Sequence, residues 1–329
     1  MEKRIISSSQ AYITHAQACL LGQIAGDSLG SLVEFQSAAQ IKAKYPQGVS
    51  LLENGGTWNT LAGQPTDDSE MALALAHELI QNREYQPDRA RKAYIDWYHS
   101  GPFDCGSTIA RGLTDTPDPE SQANGALMRI SPLGIYCAGL NPDTPLSDHE
   151  IRQFSHWAMQ DARLTHPHII CQQINALYVL AIATAIRLKP TPAALYTMIL
   201  DWAAHLEVQP AIFECLKKAQ TQPPVDYLTL QGWVLIAFHN TIWQLLNAQS
   251  LEQAVSDTVM AGGDTDTNAA ICGALMGAVY DLDNIPEQWR NAILNCRPAK
   301  GTPGVYQPRP ELYWPVDALK IAENLISKE

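Results

Sequence analysis

The stretch AGGDTDTNAAICGALMGAVYD, residues 261–281, alternates two carboxylates with two hydroxyls and then turns abruptly into small apolar residues. Gly262 and Gly263 lack side chains and so permit a sharp turn just before Asp264, Thr265, Asp266 and Thr267. The next segment, residues 268–280, is apolar on every side, which predicts a helix buried all round. The acids therefore stand at the mouth of a core helix.

The same theme occurs far upstream in PTDDSEMALALAHEL, residues 65–79, where Thr66, Asp67 and Asp68 precede an apolar helix. For either cluster alone, helix capping is a sufficient reading, since Thr and Asp are common N-caps and Asp67 with Glu70 has capping-box spacing. Four carboxylates exceed what two caps need. Brought together, Asp67, Asp68, Asp264 and Asp266 would repel strongly unless cations neutralised them, so the pattern points to convergence on metal. Oxygen ligands favour Mg2+, Mn2+ or Ca2+ over zinc. An EF-hand is excluded: counting from Asp264, the sixth position is Ala269 where Gly is required, and the twelfth is Leu275 where Glu belongs.

A third acidic segment, LLGQIAGDSLGSLVEF (residues 20–35), carries Gly22, Gly26 and Gly30 at four-residue intervals, with Asp27 and Glu34 among them. The glycines predict a closely packed helix face, and Asp27 reads as a buried, hydrogen-bonded acid. Glu34 lies past the predicted helix end, where a carboxylate opposes the macrodipole, a poor place for a structural acid and a better one for a catalyst.

Around these segments the chain reads as helix, over 11–32, 69–82, 87–100, 148–162, 168–188, 192–206, 210–219, 229–247, 251–261, 268–280 and 316–326. In 168–188 the residues Ile170, Ile174, Leu177, Ala181, Ala185 and Leu188 recur at helical intervals. Short extended pieces are expected only near 49–52 and 304–306. The fold class is all-α, one domain over 11–329 behind a flexible leader at 1–10.

The 329 residues include 46% hydrophobic and 17% charged residues, a profile that suits a compact globular protein and not disorder. A net charge of −12 without a basic run argues against a nucleic-acid or anionic-membrane surface. No window is expected to reach the roughly 18 apolar residues of a membrane helix. Seven scattered cysteines without a CxxC pair predict reduced, mostly buried thiols, and with no secretory signal the expected compartment is the cytoplasm.

Taken in order, GQIAGDSLGSLVEF, PTDDSEMAL, GPFDCGST, NGALMRISPLG, ARLTH and AGGDTDTNAAICGALMGAVY resemble the ADP-ribosylglycohydrolase family, the helical hydrolases related to dinitrogenase reductase-activating glycohydrolase. The matches span most of the chain from Leu20 to Tyr280. The resemblance implies an orthogonal helical bundle with two divalent cations, Mg2+ or Mn2+, in a central cleft, held by Thr66, Asp67, Asp68, Asp264, Asp266 and Thr267. Ser121, Asn124, Gly125 and Met128 would contact the diphosphate of ADP-ribose, and His166 would line the same pocket. A purely structural role for His166, ahead of Pro167, stays open.

Asp104 matches an acidic position of arginine-directed bacterial members and would hold a guanidinium by paired hydrogen bonds, the alternative being a cap for the next helix. Arg129 reads as an ion-pair anchor and His168 as a helix-start residue. Cys105 has no partner base and is not expected to be a nucleophile. The implied reaction is hydrolysis at C1″ of the distal ribose, with Glu34, Asp67 and Asp266 as catalytic groups and an ADP-ribosylated arginine in protein as substrate. Rival readings are an O-linked serine or small-metabolite ADP-ribose substrate, a non-catalytic relative, and an immunity protein that neutralises a cognate ADP-ribosyltransferase by contact.

Overall fold

The computed structural model describes residues 8–327, with side chains from Tyr12. Fifteen α-helices succeed one another among them: α1 (Ser8–Gly30), α2 (Ala38–Lys44), α3 (Asp67–Asn82), α4 (Pro87–His99), α5 (Ser107–Leu113), α6 (Ser131–Leu140), α7 (Asp148–Arg163), α8 (Ile169–Leu188), α9 (Pro192–His205), α10 (Pro210–Ala219), α11 (Val234–Asn247), α12 (Leu251–Met260), α13 (Thr265–Tyr280), α14 (Glu287–Asn295) and α15 (Ala318–Ile326). Among the described residues there is no strand, only isolated bridges such as Ser37 with Gly262 and Ala123 with Trp233. The expected extended pieces at 49–52 and 304–306 are bends and turns instead. The protein is all-α.

The axis of the molecule is the pair α1 and α13, which approach almost backbone to backbone. A Cβ on Gly26 would lie 2.0 Å from the Ala269 carbonyl oxygen, and one on Gly277 would lie 2.0 Å from that of Ala18. A Cβ on Gly30 would meet Asp266 Cα at 2.4 Å. The glycine face of α1 thus sets the position of the acidic end of α13. Around this pair one hydrophobic cluster runs from Ala16 to Ile326.

Helix α8 corrects one expectation: its 20 residues, of mean hydropathy 1.8, are long and apolar enough to cross a membrane. The reason lies in its place, since 89% of that window is buried inside the protein. Three buried arginines are each paired with an acid, Arg129 with Asp161 at 3.1 Å, Arg187 with Glu150 at 3.0 Å and Arg309 with Glu70 at 2.7 Å. Arg129 is the structural anchor its sequence neighbours suggest.

Helix ends largely obey local chemistry. Ser37 with Gln40 and Ser147 with Glu150 form capping boxes, and Thr191 caps α9 ahead of Pro192. Asp67 and Glu70 do not form one; Thr66 is the N-cap residue with no side-chain cap bond, and Glu70 accepts from Arg309 and Trp97. Helix α11 starts at Val234, not at residue 229, because residues 229–232 are turn. Helices α2, α5, α6 and α14 lie outside the segments expected to be helical. Ser8, Ser9 and Gln10 of the expected leader already belong to α1, and residues 1–7 lie outside the described residues.

Candidate active site

The first turn of a helix has orphan N–H groups, and α3 has them satisfied from another helix. Asp27, fully buried on α1, accepts the Thr66 N–H at 3.1 Å and the Ser69 N–H at 3.1 Å. Thr66 Oγ1 lies 2.9 Å from Asp27 Oδ1 and 3.0 Å from Asp68 Oδ2. With capping supplied by Asp27, Asp67 and Asp68 are released for another task. At α13, Asp264 is the N-cap residue but makes no side-chain cap bond. Its Oδ2 accepts from Asn124 Nδ2 at 2.7 Å, while Asp266 Oδ1 accepts the Thr267 N–H at 2.9 Å. Capping therefore leaves Asp67 and Asp68 unexplained, and at α13 it occupies only part of the oxygen atoms of Asp264 and Asp266.

These groups open on a cleft of about 270 Å³. Of the residues singled out from sequence, Glu34, Asp67, Asp104, Asn124, Gly125, Met128, His166, Asp264, Asp266 and Thr267 line it. Thr66 and Asp68 stand behind the wall, 0% and 1% exposed. Ser121 is not among the lining residues; it bonds at 2.8 Å to Thr108, which is. Carboxylate oxygens of Glu34, Asp104 and Asp266 lie within 4.8 Å of one another, close enough to share a metal ion. A larger hollow of about 480 Å³, lined by residues such as Lys218, Val225 and Trp233, is mainly apolar and gathers no such cluster.

Electrostatically the cleft is frustrated. Burial, then the negative charges of Asp104 and Asp264, pushes Glu34 up to about 8. Asp104 is raised to about 6, first by burial. Asp67, Asp68 and Asp266 are each held well above the usual carboxylate range by burial and by their acidic neighbours. None of the ion pairs among the described residues involves any of these acids. Asp68 Oδ1 is buried without a hydrogen-bond partner. An all-oxygen donor set with unneutralised charge and an orphaned carboxylate oxygen fits hard divalent cations.

Several lining or rim groups escaped the sequence reading. Trp58 Nε1–H donates to Glu34 Oε2 at 2.6 Å and fixes that carboxylate at the rim. Phe35 is 53% exposed at the mouth with a left-handed φ of 67°. Gln231 and Gly232 also line the cleft, and the Gly232 carbonyl accepts the Asn124 N–H at 2.9 Å. Residues 229–247 read as continuous helix in the sequence, so no turn signal places these two near Asn124. The Cys105 thiol is pushed up to about 12 by burial and then by Asp67 and Asp104, which keeps it protonated and inert.

A family model described as ADP-ribosylglycohydrolase matches residues 8–312 of this chain. The ADP-ribosyl-dinitrogen reductase glycohydrolase of Rhodospirillum rubrum is 27% identical over 296 residues, covering 84% of this chain and 90% of that protein. The ADP-ribosylarginine hydrolase Tri1 of Pseudomonas putida is 22% identical over 294 residues, covering 84% of this chain and 73% of its own length. Among solved structures, an ADP-ribosylglycohydrolase-related protein complex superposes with a TM-score of 0.76 at 23% identity, over 96% of this chain and 98% of that one.

Proposed function

The chain belongs to the ADP-ribosylglycohydrolase family, hydrolases of ADP-ribose linkages, and we propose that its substrate is ADP-ribosyl-arginine on protein, cleaved with two bound Mg2+ or Mn2+ ions. The observation that carries this reading is the meeting of Glu34, Asp104 and Asp266 within 4.8 Å in a cleft whose acids pair with no cationic side chain among the described residues. Such a cleft suits an acceptor that arrives positively charged, and a guanidinium can give two parallel hydrogen bonds to the Asp104 carboxylate.

Asp67, Asp68, Asp264 and Asp266, with Thr66 and Thr267, would hold the cations. When bound, these ions neutralise the carboxylate charge and orient ribose hydroxyls and a water for reaction. Asn124 holds Asp264 in place, and Gly106 N–H does the same for Asp67 at 3.2 Å. Glu34, fixed by Trp58, takes a proton from the attacking water as its oxygen bonds to C1″. The C1″–N bond breaks with its electron pair on nitrogen, that nitrogen takes up the proton Glu34 received, and free ADP-ribose leaves. Carboxylates around C1″ stabilise the oxocarbenium-like charge of that step.

Incubation with ADP-ribosyl-arginine and ADP-ribosyl-serine substrates, each with Mg2+, Mn2+ or EDTA, should release ADP-ribose from the arginine linkage only, and only with metal. Release from serine alone would overturn the acceptor assignment, and full activity in EDTA would overturn the metal assignment.

A further inference from the structure

His166 lies at the end of a buried hydrogen-bonded chain whose direction is fixed by chemistry. Arg129 is 0% exposed, and its guanidinium can only donate. Its Nε–H donates to Asp161 Oδ1 at 3.1 Å and its Nη1–H donates to Thr165 Oγ1 at 2.7 Å. Asp161 is pinned in turn by Tyr94 Oη at 2.9 Å, and the Tyr94 ring lies 4.3 Å beneath the guanidinium carbon. The guanidinium therefore cannot swing away from Thr165.

Thr165 is also fully buried, and its hydroxyl lies 2.7 Å from His166 Nδ1. Having accepted from Arg129, the hydroxyl still holds one hydrogen, and Nδ1 is the acceptor within reach. If Nδ1 carried a proton instead, that hydroxyl hydrogen would be buried unpaired, which costs about 1–3 kcal/mol. Nδ1 is thus the acceptor and Nε2 carries the proton. Nε2 is buried and makes no hydrogen bond within the protein. The ring edge bearing it faces Gly125 at the cleft wall, where a Cβ would stand 3.2 Å from Nε2 and 3.1 Å from Cε1. Only glycine leaves that edge clear.

We propose that Arg129 and Thr165 are positioning residues that lock His166 as a neutral Nε2–H donor, aimed into the cleft at an acceptor oxygen of the bound ADP-ribose unit. The identity of that ligand rests on the function proposed above; the tautomer lock does not. Burial, together with the adjacent Arg129 charge, lowers the imidazole to about 3, in keeping with a ring that donates without becoming cationic. The arrangement gives a cleft rich in carboxylates a hydrogen-bond donor that adds no charge and so does not pair with the acids.

The test is long-range 1H–15N NMR of the histidine rings in the full-length protein without ligand, alongside calorimetric titration with ADP-ribose. His166 should show a protonated Nε2 and an unprotonated Nδ1, unchanged between about pH 5 and 8. Thr165→Val should produce a mixture of tautomers and weaken ADP-ribose binding about tenfold, the loss of one to two hydrogen bonds' worth of affinity. Thr165→Ser should restore both. A protonated Nδ1 in the native protein, or a Thr165→Val variant with unaltered tautomer and affinity, overturns the proposal. Should Thr165→Val fail to fold, Thr165→Ala, which also lacks the hydroxyl, takes its place with the same expected tautomer mixture and loss of affinity, and a protonated Nδ1 in the native spectrum overturns the proposal by itself. A native protein that takes up no ADP-ribose defeats the functional reading, while the ring spectrum judges the lock independently.

Discussion

At the scale of single residues, Glu34 stands out because its surroundings oppose the ionised form while Trp58 holds it at the rim. Glu34→Gln keeps the size and can still accept from Trp58, but it cannot take a proton from water. Turnover of an ADP-ribosyl substrate is expected to fall roughly 10²–10⁴-fold, with ADP-ribose affinity changed by less than about threefold, as rate and calorimetric titration would show. Equal turnover would remove Glu34 from the chemistry. Glu150 gives a residue-scale test of stability instead. Burial alone would raise it, but hydrogen bonds from Asn141, from the Ser147 backbone, from Arg187 and from the Ser147 hydroxyl together bring it from 4.5 to about 2. A folded value below the unfolded one means stability that is complete above pH 4.5 and is lost as pH falls toward 2. Melting curves should show native protein well above Glu150→Gln at about pH 6, with the gap narrowing by about pH 3. The acids were legible from sequence because charge ahead of an apolar helix needs an explanation; Trp58 was not, because a lone aromatic resembles many others, and Gly232 was not, because it falls in a segment that reads as helix.

At the scale of elements, the contact between α1 and α13 carries the site. The four-residue glycine spacing in residues 22–30 announced a close crossing, and the partner is the helix that opens with Asp264 to Thr267. What the sequence did not announce is that the acidic mouth depends on the crossing: Gly30 abuts Asp266, and Thr265 Oγ1–H donates to the Gly30 carbonyl at 2.7 Å. Gly26→Ala places a methyl 2.0 Å from the Ala269 oxygen, between two backbones that cannot both give way. The expected loss is roughly 2–4 kcal/mol in denaturant unfolding, compared with the small stabilisation usual for Gly→Ala in an exposed helix. Gly30→Ala should also weaken Mn2+ binding, since it displaces Asp266 directly. Short helices such as α2, α5 and α14 were missed because runs of seven to nine residues show little periodicity and are held by packing more than by propensity.

At the scale of the whole molecule, the acidic cleft acts against folding unless cations occupy it. Glu34 at about 8 and Asp104 at about 6, both raised chiefly by burial, have folded values above their ordinary 4.5 and 3.8. By linkage, a carboxyl whose folded value is raised contributes stability that is present below its unfolded value and is lost as pH rises through the folded one. In EDTA, the cleft's contribution to the melting temperature should therefore decline between about pH 4 and pH 8. Bound divalent cations substitute for those protons, so the gain on adding Mn2+ should grow with pH across the same window. At a hundredfold excess over the dissociation constant the gain is about 2.7 kcal/mol, a rise of roughly 4 °C in a chain of this size. Paired thermal melts with Mn2+ and with EDTA, stepped from about pH 5 to about pH 8, measure it. A gain independent of pH would mean that Mn2+ binds elsewhere, and no gain at any pH would leave the carboxylates without the counter-ions that their burial demands.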